Sequence, residues 1–191
     1  MIGMLHGRLV EKNPTELLID CGGVCYEVKI SLNTYSVLGD GENVRVFVKL
    51  IVREDAHILY AFATKDEREM FNYLISVSGI GPNTAMIMLS SLVPEEIAHA
   101  IQSEDVVTIQ KIKGIGAKTA QRVIIDLKGK VLKFTESTDN LPAQSNTIRF
   151  DALIALVSLG FDKKSAEKAL DRIGAEHQNV EQLIKEALRL L

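Results

Sequence analysis

The N-terminal region alternates apolar and polar residues with the two-residue period of β-strands. Apolar residues take every second position in three runs, over residues 24–30, 44–52 and 58–62. Clusters of asparagine, proline, glycine and aspartate separate these runs, as turns separate antiparallel strands. We therefore predict about five or six strands over residues 1–63, closed into a small barrel of the OB type.

From residue 64 onward, apolar residues recur at the three- and four-residue spacing of helices. Residues 64–67, Thr-Lys-Asp-Glu, form a capping-box pattern that begins a first helix. Pro82 fits the first turn of a second helix, and a last helix is predicted over residues 117–132. Residues 64–134 are therefore predicted to be an all-α region that follows the barrel.

The C-terminal part pairs a polar segment with three short amphipathic helices. Residues 135–147 are polar and aperiodic, which predicts a flexible linker. Residues 148–191 contain three helical patterns and resemble three-helix modules of the ubiquitin-associated type, which bind protein. A module tethered in this way holds its partner at a high effective concentration. The predicted fold class is a multi-domain α+β protein with a barrel, a helical region and a three-helix bundle.

One short motif occurs twice in the helical region. Gly-Ile-Gly stands at residues 79–81 and 114–116, with the first glycines 35 positions apart (114 − 79). Each copy lies where one helical pattern ends and another begins. Glycines leave the backbone open to a flat object, and the first N–H groups of the new helix attract an anion. Two such sites at a fixed separation suit two phosphates of a DNA backbone, with no base being read.

The repeated pattern resembles the helix-hairpin-helix motif of DNA-binding proteins that lack sequence specificity. A single copy would indicate only a helix end and a helix start, but two matched copies make the resemblance specific. The second copy has cations around its turn, at Lys113, Lys118 and Arg122, so it should carry more of the phosphate affinity. The first copy has Ser78 and Asn83 at the places of the two lysines. The candidate DNA-binding residues are Gly79, Ile80, Gly81, Asn83, Thr84, Lys113, Gly114, Ile115, Gly116, Lys118, Thr119 and Arg122.

Charge and composition narrow the function further. The 191 residues have a net charge of −3, yet residues 111–134 carry seven Lys or Arg against one Asp, a local charge of +6. Such a cluster of positive charge is typical of a surface that binds phosphate groups. Because there is no long apolar run and no apolar signal segment, we expect a cytoplasmic protein without membrane contact. Cys21, Cys25 and four scattered histidines lack the spacing of a metal site, so no metal or cofactor is expected.

An acidic pair, Glu54 and Asp55, lies in the turn between two strong strand patterns. Adjacent carboxylates at a hairpin tip are most often simply solvated. Two functional interpretations stay open beside that one. The pair could hold a metal ion for phosphodiester cleavage, which needs further carboxylates nearby, or it could repel DNA phosphates and so steer the strands.

Motifs from every region together resemble the RuvA family, the Holliday-junction-binding subunits of bacterial RuvAB branch-migration complexes. Besides the two hairpins, the matching segments are the opening Met-Ile-Gly-x-Leu-x-Gly, the turn Val-Arg-Glu-Asp-Ala at 52–56 and Ala-Leu-Val-Ser-Leu-Gly-Phe at 155–161. The resemblance implies a homotetramer with one subunit on each arm of a four-way DNA junction. It implies that Glu54 and Asp55 form an acidic pin, with eight carboxylates in four subunits, that keeps the junction open by repulsion.

The resemblance also implies partners for the C-terminal module. That module would bind the RuvB motor, with Leu156, Leu159 and Phe161 as candidate contacts, and an octamer on DNA and a contact with the RuvC resolvase are left open. The chain has no Gly-x-x-x-x-Gly-Lys-Ser/Thr loop, so the ATPase would belong to the motor. Asn83 departs from the family pattern, in which a cation is expected in the first hairpin.

Two other functions are kept open at this point. One is a metal-dependent, structure-specific nuclease that uses Glu54 and Asp55. The other is a general duplex-binding adaptor, which would show no preference for junctions over linear DNA. A cleavage assay with added metal and a comparison of junction with linear duplex separate these from a non-catalytic junction scaffold.

Overall fold

The computed structural model describes residues 1–39, 41–134, 144–173 and 179–191. The chain divides into two compact units, with the boundary between residues 138 and 139. The barrel and the predicted all-α region lie together in the first unit, and the C-terminal helices form the second. In the described ranges, no helix has the length and apolarity that a bilayer crossing requires.

A closed five-stranded barrel begins the first unit, which confirms the predicted OB-type fold. Its strands are β1 (Met4–Asn13), β2 (Glu16–Asp20), β3 (Cys25–Ile30), β4 (Asn43–Val52) and β5 (His57–Phe62). They follow the order β1-β2-β3-β5-β4 around the barrel, and β3 and β5 are the parallel pair. The inward apolar positions of the alternating runs fill the interior, with Val28, Val46 and Val48 buried.

A short helix that the hydrophobic pattern did not predict, α1 (Leu32–Val37), connects β3 to β4. Ser31 is its N-cap, because the Ser31 hydroxyl accepts a hydrogen bond from the N–H of Thr34 at 2.9 Å. The helix has six residues, too few to display a helical period. It lies on the side of the barrel where the helical region packs, in contact with the helix of residues 82–91. Asp40, in a predicted turn that follows α1, lies outside the described residues.

The helical region contains five α-helices in its described residues. They are α2 (Lys65–Ser76), α3 (Pro82–Ser91), α4 (Pro94–Gln102), α5 (Val106–Gln110) and α6 (Ala117–Leu127). They surround a core to which the barrel contributes Tyr60 and Phe62. The aromatic rings of Phe62 and Phe71 lie 5.0 Å apart, so the end of β5 and the first helix share one core.

The last predicted helix of this region, 117–132, is too long by five residues. The structure ends α6 at Leu127, with Lys128 as its C-cap. The N–H groups of Lys130 and Val131 both turn back to the Leu127 carbonyl, at 2.8 and 3.3 Å. Gly129 lowers the helical preference at this point. Val131 is nevertheless buried, as the apolar pattern predicted.

The predicted capping box at the start of α2 forms only in part. The Thr64 hydroxyl accepts from the N–H of Glu67 at 3.1 Å, as an N-cap does. The Glu67 carboxylate, however, does not return to the cap. It is buried against hydroxyl groups of the barrel, at Ser31 and Thr34.

The described residues of the second unit form a bundle of three helices, as predicted. These are α7 (Gln144–Ser158), α8 (Lys163–Arg172) and α9 (Val180–Leu190). Leu156, Leu170 and Leu183 are among the buried residues that form its core. Because α7 begins at Gln144, residues 144–147 of the predicted linker are helical. The rest of that predicted linker, 135–143, lies outside the described residues.

Candidate nucleic-acid interface

The two Gly-Ile-Gly segments fold into the same four-residue turn. Gly79 has a φ of 95° and Gly114 a φ of 90°, a region in which residues with a Cβ are strained. The N–H of Ile80 donates to the carbonyl of Val77 at 3.0 Å, and the N–H of Ile115 donates to that of Ile112 at 3.1 Å. A glycine with positive φ in the third place of such a turn is the type II pattern. The sequence repeat is therefore a repeat of backbone structure.

The second glycine of each motif has a different role from the first. Gly81 and Gly116 have φ values of −87° and −84°, so neither position needs a positive φ. Each is an N-cap residue, and a Cβ added to either would meet no atom within 4 Å. The fold itself therefore does not require glycine here. What the missing side chain provides is open space in front of the helix start.

The two isoleucines of the motifs are structural, which corrects their assignment as DNA contacts. Ile80 and Ile115 are each only 5% exposed and pack in the core of the helical region. Their N–H groups are already used in the turns. The two side chains hold the hairpins on the helical core. Any ligand surface of the hairpins would therefore consist of the residues next to them in sequence.

Each hairpin leaves the first N–H groups of its second helix open. The first hydrogen bond of α3 runs from Ala85 N–H to the carbonyl of Gly81, and that of α6 runs from Ala120 to Gly116. Neither glycine N-cap offers a side-chain acceptor. Among the described residues, the backbone N–H groups of Asn83, Thr84, Lys118 and Thr119 accordingly have no protein acceptor. Such helix starts bind anions through these donors and the helix dipole.

The side chains around the two helix starts differ in charge. Lys113, Lys118 and Arg122 are exposed around the second. Arg122 also lies 3.7 Å from Asp126, one turn further along α6, in an exposed ion pair. At the corresponding places, 35 positions earlier, the first hairpin has Ser78, Asn83 and Ile87. The segment 77–91 contains no charged residue at all.

A contact of the first hairpin with the barrel was not anticipated from the sequence. The Tyr60 hydroxyl donates to the side-chain oxygen of Asn83 at 3.3 Å. Burial raises the pKa of Tyr60, against an opposing effect of the Arg53 charge, so the hydroxyl keeps the proton that it donates. Both residues line a groove of about 470 Å³ that also includes Lys29 of β3. Lys29 is thus a cation beside the first hairpin that comes from another element.

The two turns lie next to each other in the first unit. A Cβ built on Gly79 would lie 3.9 Å from the methyl carbon of Thr119. The structure therefore brings together the first turn and the start of α6, which are far apart in sequence. The two candidate anion sites form neighbouring parts of one surface.

The acidic pair lies at the tip of the β4–β5 hairpin. The tip is closed by a hydrogen bond of 2.8 Å from the N–H of Arg53 to the carbonyl of Ala56, and Glu54 and Asp55 between them are exposed. In the described part of the chain, no three His, Cys, Asp or Glu side chains are grouped as a metal site would require. The arrangement presents two negative charges to solvent.

The three candidate partner contacts of the second unit have different environments. Leu156 is fully buried in the bundle core, so it supports the module and offers no surface to a partner. Phe161 packs partly against the same core. Leu159, just after the end of α7, is 61% exposed, and Ile154 and Val157 within α7 are exposed as well. The exposed apolar residues therefore include Ile154 and Val157, which were not among the predicted partner contacts.

Comparison with known families covers all three regions. Residues 1–61 match the RuvA N terminal domain, residues 71–129 match a SAM-like helix-hairpin-helix tandem, and residues 148–191 match the RuvA C-terminal domain. The chain belongs to the RuvA family. This confirms the resemblance inferred from the sequence motifs.

Individual RuvA relatives are similar over their full length. A protein of Flavobacterium psychrophilum is 55% identical, and one of Christiangramia forsetii is 53% identical, with 100% of both chains covered in each comparison. A third, from Cytophaga hutchinsonii, is 47% identical over the same full coverage. All three are named Holliday junction branch migration complex subunit RuvA.

Proposed function

We propose that this protein binds four-way DNA junctions without sequence specificity, as the non-catalytic scaffold of a branch-migration complex. The observation that carries the proposal is the duplicated turn, which leaves backbone N–H groups open at two neighbouring helix starts. Backbone donors and lysine or arginine side chains contact phosphates and do not distinguish bases. The names of the full-length relatives support the junction as the DNA structure that is bound.

The acidic hairpin tip fits a role in holding the junction open. In a homotetramer with fourfold symmetry, four copies of Glu54 and Asp55 would bring eight carboxylates near the point where the strands cross. Negatively charged carboxylates repel phosphates, and at physiological salt this repulsion is screened beyond about 8 Å. Local repulsion of this kind separates strands without any catalysis.

The energy for branch migration would come from the RuvB motor, bound by the second unit. The exposed apolar residues Ile154 and Val157 of α7, with Leu159 just after its end, form the candidate contact surface. A truncation after Phe134 keeps the barrel and both hairpins. We expect it to retain junction binding and to lose stimulation of the motor, measured as ATP-dependent branch migration, and loss of junction binding would contradict this assignment.

The proposal is tested by native mass spectrometry and binding measurements with a four-way junction and a linear duplex of the same arm sequence. We expect four chains or a multiple of four on each junction, a clear preference for the junction, and no cleavage with or without Mg²⁺. Equal affinity for both DNAs would favour a general duplex-binding adaptor. Metal-dependent cleavage that disappears in Glu54→Gln would favour a nuclease.

A further inference from the structure

The short helix α1 of the barrel contacts both helices of the first hairpin. On one side, the hydroxyl groups of Ser31 and Thr34 donate to the carboxylate of Glu67 in α2, the latter at 2.6 Å. On the other side, the side-chain N–H₂ of Asn33 donates to the carbonyls of Leu89 and Leu92 at the end of α3, the latter at 3.0 Å. Ser31, Asn33 and Thr34, at the start of one short helix of the barrel, thus attach both helices of the first hairpin.

The Glu67 side of this contact is buried and fully paired. Glu67 is only 4% exposed, and Ser31 and Thr34 are 0% exposed. Thr34 also accepts the N–H of Ala63 at 3.0 Å, in the connection that joins β5 to α2. The hydroxyl hydrogens of Ser31 and Thr34 therefore both have an acceptor only while Glu67 offers both carboxylate oxygens. Removing one acceptor leaves a buried hydroxyl unpaired, which is costly.

The Asn33 side fastens the C-terminal end of α3. The last carbonyls of a helix have no partner within the helix, and Asn33 supplies a donor to two carbonyls there. The N–H of Leu32 adds a hydrogen bond of 3.1 Å to the hydroxyl of Ser90. The end of α3 that lies away from the phosphate site is thereby held on the barrel.

The second hairpin has no corresponding attachment in the described residues. The polar contacts of α5 and α6 are made within the helical region, such as the ion pair of Lys128 with Glu104 and the cap of α5 by Asp105. The barrel therefore holds the hairpin that lacks cations. For the hairpin that has the cations, the part of the chain that the structure describes shows polar contacts only within the helical region.

We propose that Asn33 and Glu67 are positioning residues for junction recognition, because they fix the first hairpin relative to the acidic tip of the barrel. This inference rests on the proposed function. A junction has to meet the hairpins and the acidic tip at once, whereas a linear duplex does not reach a crossover point. Binding groups have to be held within about 0.5 Å of their productive places. A loosened α1 contact therefore harms junction binding selectively.

The test uses two variants in the full-length protein, each with a control close in sequence. Asn33→Ala removes the donor to α3, and Glu67→Gln removes one acceptor in α2. The controls are Val37→Ala, which changes an exposed residue of the same helix α1, and Asp66→Asn, which removes an exposed carboxylate next to Glu67. Affinities for a four-way junction and a matched linear duplex are measured in one buffer. Urea unfolding at the assay temperature shows whether every variant is folded there.

We expect each test variant to bind the junction about tenfold more weakly and the linear duplex less than about twofold more weakly, with both controls near wild type. A purely structural role would lower the urea midpoint and leave the ratio of the two affinities unchanged, and that result would overturn the inference. If Glu67→Gln does not fold, Asn33→Ala decides alone, since Asn33 is only half-buried. A wild type without junction preference would instead contradict the proposed function.

Discussion

The two hairpins have the same backbone turn but different surroundings. The second is surrounded by exposed cations and lies in a segment with a net charge of +6. The first has an uncharged turn, in a stretch of residues 64–110 that carries two Lys or Arg against seven Asp or Glu. It is, however, attached to the barrel through Asn33, Glu67 and Tyr60. From this difference we infer a division of tasks, in which the second copy would provide phosphate affinity and the first would provide alignment with the acidic tip.

The largest effect should come from removing the cations of the second hairpin. Lys118→Ala with Arg122→Ala should weaken binding to junction and duplex alike by roughly 100-fold, because two charge-assisted contacts worth about 1.5 kcal/mol each are lost. The slope of log affinity against log salt should fall by about one unit per lost phosphate contact. The matched control in the first hairpin is Asn83→Ala with Ile87→Ala, which removes the hydrogen bond from Tyr60 but no charge, so it should cost clearly less affinity for duplex. If the control lowers DNA affinity as much as the test variant does, the proposed difference between the two hairpins is wrong.

A smaller effect is expected from filling the space in front of the helix starts. Gly81→Val and Gly116→Val should each weaken junction binding about tenfold while the far-UV circular dichroism stays native, because the new side chain fills the space in front of the helix start, where an added Cβ meets no protein atom within 4 Å. Gly114→Val is the contrasting variant, since its φ of 90° strains any residue with a Cβ. Gly114→Val should therefore lower the free energy of unfolding, in addition to any effect on DNA affinity. Native affinity in folded Gly116→Val would argue against this surface as the phosphate site.

Neutralising the acidic tip should change preference more than affinity. Glu54→Gln with Asp55→Asn removes repulsion and leaves the barrel intact, since the tip is exposed. Junction binding in EDTA should be equal to wild type or tighter by about threefold, because the repulsion of phosphates over about 8 Å is lost. The preference for the junction over linear duplex should relax, because no charge remains at the tip to keep the strands apart at the crossover. Clearly weaker junction binding by the neutral variant would contradict the repulsion model.

The smallest effect concerns stability and its dependence on pH. Burial raises the pKa of Glu67 from 4.5, an effect that the hydrogen bonds from Ser31 and Thr34 oppose and the charge of Glu95 reinforces. The folded state therefore keeps this proton when the unfolded state has lost it. The contribution to stability is present below pH 4.5 and is lost as the pH rises through the folded-state value. The free energy of unfolding of wild type minus that of Glu67→Gln should fall over this window, and a difference that is flat with pH would be inconsistent with a buried carboxyl.

Regular patterns made much of this architecture predictable. Alternation over residues 24–30, 44–52 and 58–62 identified the barrel, and the repeated Gly-Ile-Gly identified both hairpins. The missed features depend on contacts between distant segments. Glu67 looked like a capping residue because its barrel partners are more than 30 positions away in sequence. Ile80 and Ile115 looked like surface residues of the turns, and only the packed core shows that they are buried.

The division of tasks between the hairpins is tested most directly by the salt dependence of junction and duplex binding in three proteins. These are wild type, Lys118→Ala with Arg122→Ala, and Asn33→Ala. We predict a smaller salt slope on both DNAs for the cation variant, and an unchanged duplex slope with a lost junction preference for Asn33→Ala. If both variants lower the slope equally and keep the junction preference, the two hairpins share one task and the account is wrong.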